Sequence, residues 1–150
     1  MKDNKVLTLV YSGLFTALVI VATAFLKIPT AFGYLNLGDG VIFVCAAVLG
    51  PLAAVIGGVG SAISDMIVGY GFYAPATLVI KALMGLAAAL LIKNAEKYSL
   101  RNTLVYLFAE VIMVGGYYIF ESFLYGTPAA TADVIPNLIQ GGFGVIIGMF

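Results

Sequence analysis

Long apolar stretches alternate along the whole chain with short segments of glycine, proline and charged residues. A membrane-spanning helix needs roughly 20 apolar residues, and the first stretch, Val6 to Leu26, has that length. Pro51, Pro75 and Pro136 each suit the first turn of a helix. The pattern predicts an all-α integral membrane protein, a bundle of six transmembrane helices forming a single membrane domain over residues 1–150. The predicted helices cover about residues 6–26, 41–49, 51–68, 75–92, 102–125 and 136–150.

The second predicted helix is too short to cross a membrane alone. At about 1.5 Å per residue it covers only about 14 Å of an apolar core about 30 Å thick. Two arrangements are open: the helix extends through residues 37–40, or the second and third helices form a re-entrant hairpin. The last helix is still apolar at Phe150, which predicts that the natural chain continues beyond it.

Composition narrows the chemistry. Hydrophobic residues make up 63% of the chain and charged residues 9%, which is typical of a protein whose solvent is lipid. There is no basic cluster, so a nucleic-acid partner is not expected. Cys45 is the only cysteine and histidine is absent, which excludes Cys/His zinc sites and imidazole catalysis. We predict no metal and no cofactor. No G-x-x-x-x-G-K-[ST] segment occurs, so P-loop ATP hydrolysis must belong to a partner.

The positive charges predict the orientation, because lysine and arginine accumulate on the cytoplasmic side of membrane proteins. With the N-terminus inside, only Lys27 falls in an outer loop. An even number of spans with both ends in the cytoplasm follows. The residues then placed inside are Lys2, Lys5, Lys93, Lys97 and Arg101.

Ionisable side chains within membrane spans are costly, so each is a candidate for function. Counting helical rise, Asp65 lies roughly 20 Å from the cytoplasmic start of its helix and Lys81 roughly 9 Å below the outer start of its own. Both therefore fall in the outer half, which predicts a pocket open to the outside. The alternative is a structural Asp65–Lys81 ion pair. The polar residues in this layer are Asp39, Asp65, Lys81, Glu121, Asn137 and Gln140.

Aromatic residues lie at the same level, either as an interfacial belt or as ligand contacts. Tyr117 is the best ligand candidate, because it lies one turn below Glu121 and can stack on a flat ring. Glu110 lies deeper and serves as a structural partner or a lower wall. Because acids outnumber Lys81, we expect a neutral or weakly basic ligand, such as a hydroxylated heteroaromatic ring. The belt residues weighed for a ligand role are Tyr34, Tyr70 and Phe72.

Small residues predict close helix contacts. Gly13 and Ala17 have small-xxx-small spacing on the first helix, and the third helix carries a run of glycines from Gly57 to Gly60. Such faces pack either inside the bundle or against a separate membrane subunit.

Four motif runs resemble the S components of energy-coupling factor (ECF) transporters. They are Leu35-Asn-Leu-Gly-Asp-Gly-Val-Ile-Phe43, Leu49-Gly-Pro-Leu52, Gly57-Gly-Val-Gly-Ser-Ala-Ile-Ser-Asp65, and Tyr73-Ala-Pro-Ala-Thr-Leu-Val-Ile-Lys81 with Gly85. The resemblance is to the riboflavin-type subgroup, which includes subunits for hydroxymethylpyrimidine and pyridoxine. Asn36 and Tyr73 lie within these runs and complete the predicted substrate-binding set.

The resemblance implies a six-helix subunit of a prokaryotic plasma membrane that binds a water-soluble vitamin or precursor from outside. A hydroxymethylpyrimidine or pyridoxine ring is favoured over riboflavin. The partners would be a transmembrane coupling subunit and two ATPases, within membrane lipid, and toppling of the subunit would carry the ligand inward. The loop from Lys27 to Gly40 would act as a gate, and Gly13 and Ala17 would contact the coupling subunit, although the family more usually has an alanine pair there.

The resemblance implies that the chain is not an enzyme, and two other hypotheses stand beside it. A small membrane enzyme would use Asp65, Lys81 and Glu121 for acid–base chemistry on a lipid-like substrate. A purely structural subunit would use the same residues only for stability.

Overall fold

Within the residues that the structure describes, six helices and one β-hairpin make up the fold. The computed structural model describes residues 5–92 and 99–150. In chain order the elements are α1 (Lys5–Ala24), β1 (Lys27–Pro29), β2 (Tyr34–Asn36), α2 (Gly38–Leu49), α3 (Leu52–Val68), α4 (Ala74–Leu91), α5 (Leu100–Tyr125) and α6 (Thr127–Met149). The predicted all-α bundle of six helices is confirmed. The strands are an addition to it.

Four helices, α1, α4, α5 and α6, are long and apolar enough to cross a membrane. Helix α2 covers about 18 Å and α3 about 26 Å at 1.5 Å per residue. Helix α2 begins at Gly38, so it includes most of the extension considered from the sequence. It packs against α1, α3, α4 and α6, and Phe43 stacks on Tyr106 of α5 with ring centroids 4.6 Å apart. A helix enclosed in this way needs no full-length apolar surface facing lipid.

Helix α6 begins at Thr127, whereas the sequence prediction began it at Pro136. Gly126 ends α5 with φ 87° and ψ 158°, a positive-φ conformation that glycine adopts readily, and Pro128 occupies the first turn of α6. Pro136 lies inside the helix, where it removes one backbone N–H. Membrane helices tolerate such a proline when neighbouring groups satisfy the freed carbonyl. The predicted loop at residues 126–135 is therefore mostly helix, which affects the site.

The segment between α1 and α2 is an antiparallel hairpin, in which Lys27 pairs with Asn36 and Pro29 pairs with Tyr34. Its turn is closed by Thr30 N–H, which donates to Gly33 O at 2.9 Å. The glycines and the proline of this segment predicted a loop but not its strand pairing. The hairpin covers the end of the bundle where α1 ends and α2 begins.

Glycines set the distance between α3 and α4. A Cβ atom on Gly58 would lie 2.7 Å from the backbone oxygen of Leu78, and one on Gly85 would lie 2.8 Å from that of Ala53. The glycine face of α3 therefore packs inside the bundle, which is one of the two arrangements expected for it. Gly13 differs: it is exposed, as is Ala17, and a Cβ there would meet nothing within 4 Å.

Candidate functional site

A cavity of about 440 Å³, counting the part open to solvent, lies beneath the hairpin. Side chains from α1, the hairpin, α3, α4, α5 and α6 converge on it. The lining residues are Thr23, Gly33, Tyr34, Asn36, Ser61, Asp65, Tyr70, Tyr73, Thr77, Lys81, Tyr117, Glu121, Asp133 and Asn137.

One face of α4 provides three levels of the cavity wall, because residues four apart lie on the same side of a helix. Tyr73, Thr77 and Lys81 have this spacing. At the level nearest the hairpin, Tyr73 OH donates to Glu121 Oε1 at 3.3 Å. At the middle level Thr77 Oγ1 and Tyr117 OH share a hydrogen bond of 3.0 Å. Helix α5 therefore meets α4 along the same wall.

The inner level is a buried ion pair between Lys81 Nζ and Asp39 Oδ1. The sequence had left open an ion pair between Lys81 and Asp65, and the structure instead pairs Lys81 with Asp39. Lys81 Nζ also lies 5.6 Å from the centre of the Tyr117 ring. Lys81 faces the cavity, whereas Asp39 lies behind it and is fully buried.

Gln140 connects this ion pair to the hairpin. Its Nε2 donates to Asp39 Oδ2 at 2.7 Å. Its Oε1 accepts bonds from the backbone N–H and the side-chain Nδ2 of Asn36, both at 3.0 Å. Asp39 and Gln140 are thus part of the support behind the cavity and do not line it. These hydrogen bonds connect the hairpin, which covers the cavity, to the Asp39–Lys81 ion pair at the opposite end.

Asp65 is held by Tyr34 of the hairpin, whose hydroxyl donates to Asp65 Oδ1 at 2.6 Å. Burial, and after it the neighbouring Asp65 carboxylate, raises the pKa of the Tyr34 phenol well above its usual value. Tyr34 therefore keeps its proton and remains a donor. Lys27 Nζ lies 5.8 Å from the centre of the Tyr34 ring.

Aromatic side chains close the end of the cavity next to the hairpin. Tyr70 OH donates to Gly33 O at 3.3 Å, and Tyr73 OH lies 3.1 Å from Phe32 O. Tyr34 and Tyr70, which the sequence left between an interfacial belt and a ligand role, both line the cavity. Phe72, the third residue of that group, is exposed.

Asp133 is a lining residue that the sequence prediction missed, because it was assigned to a loop. Its Oδ2 accepts a bond from Asn137 Nδ2 at 3.2 Å, and Thr30 Oγ1 donates to its Oδ1 at 3.5 Å. Asp133, Asn137 and Gln140 follow i, i+4, i+7 spacing, which is a helical signal that would have found it.

Glu110 does not line the cavity. Its carboxylate lies against α6, where a Cβ on Gly144 would be 2.5 Å from Glu110 Oε1 and 2.9 Å from Asp39 Cβ. No hydrogen-bond partner for either oxygen is found within residues 5–92 and 99–150. Of the two roles considered from the sequence, the lower wall of the site is thus wrong for Glu110.

The remaining predicted binding residues line the cavity together, and their contact with a ligand stays a prediction. They are Asn36, Asp65, Tyr73, Lys81, Tyr117, Glu121 and Asn137. Thr23, Ser61 and Thr77 were missed, because small polar residues carry no distinctive signal in an apolar helix. Gly33 was missed because it lies in the turn of the hairpin, whose strand pairing the sequence did not predict. Among the described residues, no group of three or more Asp, Glu or Cys side chains is placed to hold a metal ion.

Comparison with known proteins identifies a family to which the chain is similar. The family model described as "ECF-type riboflavin transporter, S component" matches residues 3–150. The chain is 32% identical over 151 residues to the thiamine precursor transporter HmpT of Lactococcus lactis subsp. cremoris, covering 98% of this chain and 82% of that protein. It is 39% identical over 124 residues to an uncharacterized protein in a gap 3' region of Pyrococcus woesei, covering 82% of each.

Proposed function

The chain belongs to the family of S components of ECF-type riboflavin transporters, and from that membership we propose that it captures a single-ring vitamin precursor from outside the cell. Hydroxymethylpyrimidine and pyridoxine are the favoured types. The observation that carries this proposal is the cavity, in which Tyr117 lies between carboxylates at the outer level and Lys81 at the inner level. A tyrosine ring stacks on a flat heterocycle, and the charged groups select its polar substituents.

The relative named as a thiamine precursor transporter supports a single ring over riboflavin, which has three fused rings and a sugar-alcohol chain. The cavity of about 440 Å³, part of it open to solvent, accommodates a six-membered ring with small substituents.

Uptake against a gradient requires other subunits. We propose a transmembrane coupling subunit and two ATPases, because family membership makes this chain the substrate-specific component of a larger transporter. The positive charges support a cytoplasmic N-terminus. Lys5 and Arg101 are at the ends of α1 and α5 that this orientation places inside; Lys2, Lys93 and Lys97 lie outside the described residues.

A binding panel tests the ligand. Purified protein in detergent is titrated calorimetrically with hydroxymethylpyrimidine, pyridoxine, thiamine, riboflavin and pantothenate. We expect a single-ring compound to bind with a Kd of about 1 μM or below, and riboflavin to bind much more weakly. Failure of both single-ring compounds, hydroxymethylpyrimidine and pyridoxine, to bind would refute the proposal.

Tyr117→Ala is expected to lower the affinity for the tightest-binding compound of this panel by roughly tenfold, because stacking on the ring is lost. Phe123→Ala is the matched control: Phe123 is an aromatic residue of the same helix, 89% exposed, and it does not line the cavity. Equal affinities of the two variants would show that Tyr117 does not contact the ligand.

The exposed pair Gly13 and Ala17 supports a docking face on α1. Gly13→Phe is expected to leave ligand affinity and thermal stability unchanged while reducing co-purification with the coupling subunit and vitamin uptake by cells. Gly142→Phe on α6 is the control, because Gly142 is also exposed and a Cβ there would meet nothing within 4 Å. Equal uptake by both variants would contradict docking through α1.

A further inference from the structure

We propose that Glu121 and Asp133 form an amine subsite at the outer end of the cavity, so that the ligand is an amino-substituted nitrogen heterocycle. This inference rests on the proposed function and narrows the ligand class. Both side chains line the cavity, and they are only 2% and 6% exposed. The two carboxyl groups also interact directly with each other.

The donors supplied by the protein do not satisfy this pair. Tyr73 OH donates a hydrogen bond to Glu121 Oε1. Asn137 and Thr30 each donate one to an oxygen of Asp133. Glu121 Oε2 is buried, and within the part of the chain that the structure describes it has no hydrogen-bond partner. An unsatisfied buried carboxylate oxygen is costly, and an N–H donor from a ligand in the cavity would satisfy it in place of a proton shared with Asp133.

An amino group meets this requirement. Two neighbouring carboxylates repel each other unless a proton or a cationic donor lies between them. An amino group offers at least two N–H donors and can reach both acids at once, and any positive charge on the heterocycle strengthens these bonds. A hydroxyl group has one donor, so one of the two carboxyl groups would receive no hydrogen bond from it.

The inner end of the cavity has the opposite polarity. The Lys81 ammonium has three donors, of which Asp39 accepts one. A ring nitrogen or a hydroxyl oxygen can accept another. Tyr117 lies between the two ends, with its ring 5.6 Å from Lys81 Nζ and its backbone one helical turn, about 6 Å, below Glu121. One ring with a donor at one edge and an acceptor at the other fits this spacing.

A matched pair of ligands tests the subsite. Hydroxymethylpyrimidine carries a ring amino group, and an analogue with hydrogen in its place lacks those N–H donors while keeping the aromatic ring. Calorimetry with the wild-type protein is expected to show the amino compound binding at least about tenfold more tightly, since hydrogen bonds to charged groups are the stronger ones. Asp133→Asn and Glu121→Gln keep the shape of the subsite and should each reduce this ratio several-fold.

Glu110→Gln is the control variant, because it removes a buried carboxylate from the same helix as Glu121 at a position outside the cavity lining. It should leave the ratio unchanged. Thermal unfolding of each variant identifies any that misfold, and the comparison of the two ligands on wild-type protein needs no variant.

Three results overturn the inference. Equal binding of the amino compound and the analogue without the amino group would exclude the amine subsite while leaving the proposed function intact. If both Asp133→Asn and Glu121→Gln fold and leave the ratio of the two ligand affinities unchanged, the two acids do not bind the amino group. Failure of every single-ring compound to bind refutes the proposed function and the subsite with it.

Discussion

Lys81→Met is expected to lower the free energy of unfolding by about 3–5 kcal/mol, since it leaves Asp39 as a buried charge without its counter-ion. Both side chains of the pair are almost completely buried. Gln140 remains as a donor to Asp39 but brings no positive charge. Denaturant or thermal unfolding in detergent measures the loss.

The double variant Lys81→Met with Asp39→Asn is the control for this prediction. It removes both charges while keeping an acceptor for Gln140, so we expect it to be more stable than Lys81→Met alone. If the effects of the two single substitutions simply add, the two charges do not stabilise each other. Lys81 would then act mainly through the ligand.

Gly85→Ala and Gly58→Ala are each expected to destabilise the protein by about 1–3 kcal/mol, because the added methyl group would press on a backbone carbonyl of the neighbouring helix. Backbone oxygens cannot rotate away as the end of a side chain can. Helices α3 and α4 would have to separate, and α4 carries Thr77 and Lys81. Thermal unfolding of the purified variants measures the effect.

Gly115→Ala is the matched control for these glycines. A Cβ on Gly115 would meet nothing within 4 Å, and alanine is the better helix former, so we expect this variant to be as stable as the wild type or slightly more so. Gly85→Ala matching it in stability would mean that α3 and α4 do not meet as closely as described.

Much of the fold was predictable because a helix crossing lipid must be long and apolar, and such stretches are visible in the sequence. The start of α6 was not, because Pro136 is equally compatible with a first turn and with the interior of a membrane helix. The hairpin was also missed. Its strands, Lys27–Pro29 and Tyr34–Asn36, are too short to show an alternating pattern.

The site was partly predictable from depth alone, since helical rise places Asp65, Lys81 and Glu121 in one layer. Depth does not give direction around the helix axis or the choice of partner. Lys81 therefore had two acids within reach, and only the packing of α2 inside the bundle selects Asp39. The prediction for Asp133 depended on where the last helix begins. Because that helix was predicted to begin at Pro136, Asp133 was assigned to a loop and left out of the polar layer.

The bonds of Gln140 join the cover and the floor of the cavity in one cooperative unit. If the hairpin lifted, the side-chain oxygen of Gln140 would lose both donors from Asn36, and the amide that holds Asp39 would lose its anchor. Opening of the hairpin would thereby loosen the ion pair that fixes Lys81, and a ligand bound to Lys81 would favour the closed hairpin. By this linkage, we expect a subunit with ligand and one without ligand to differ in the rigidity of the hairpin.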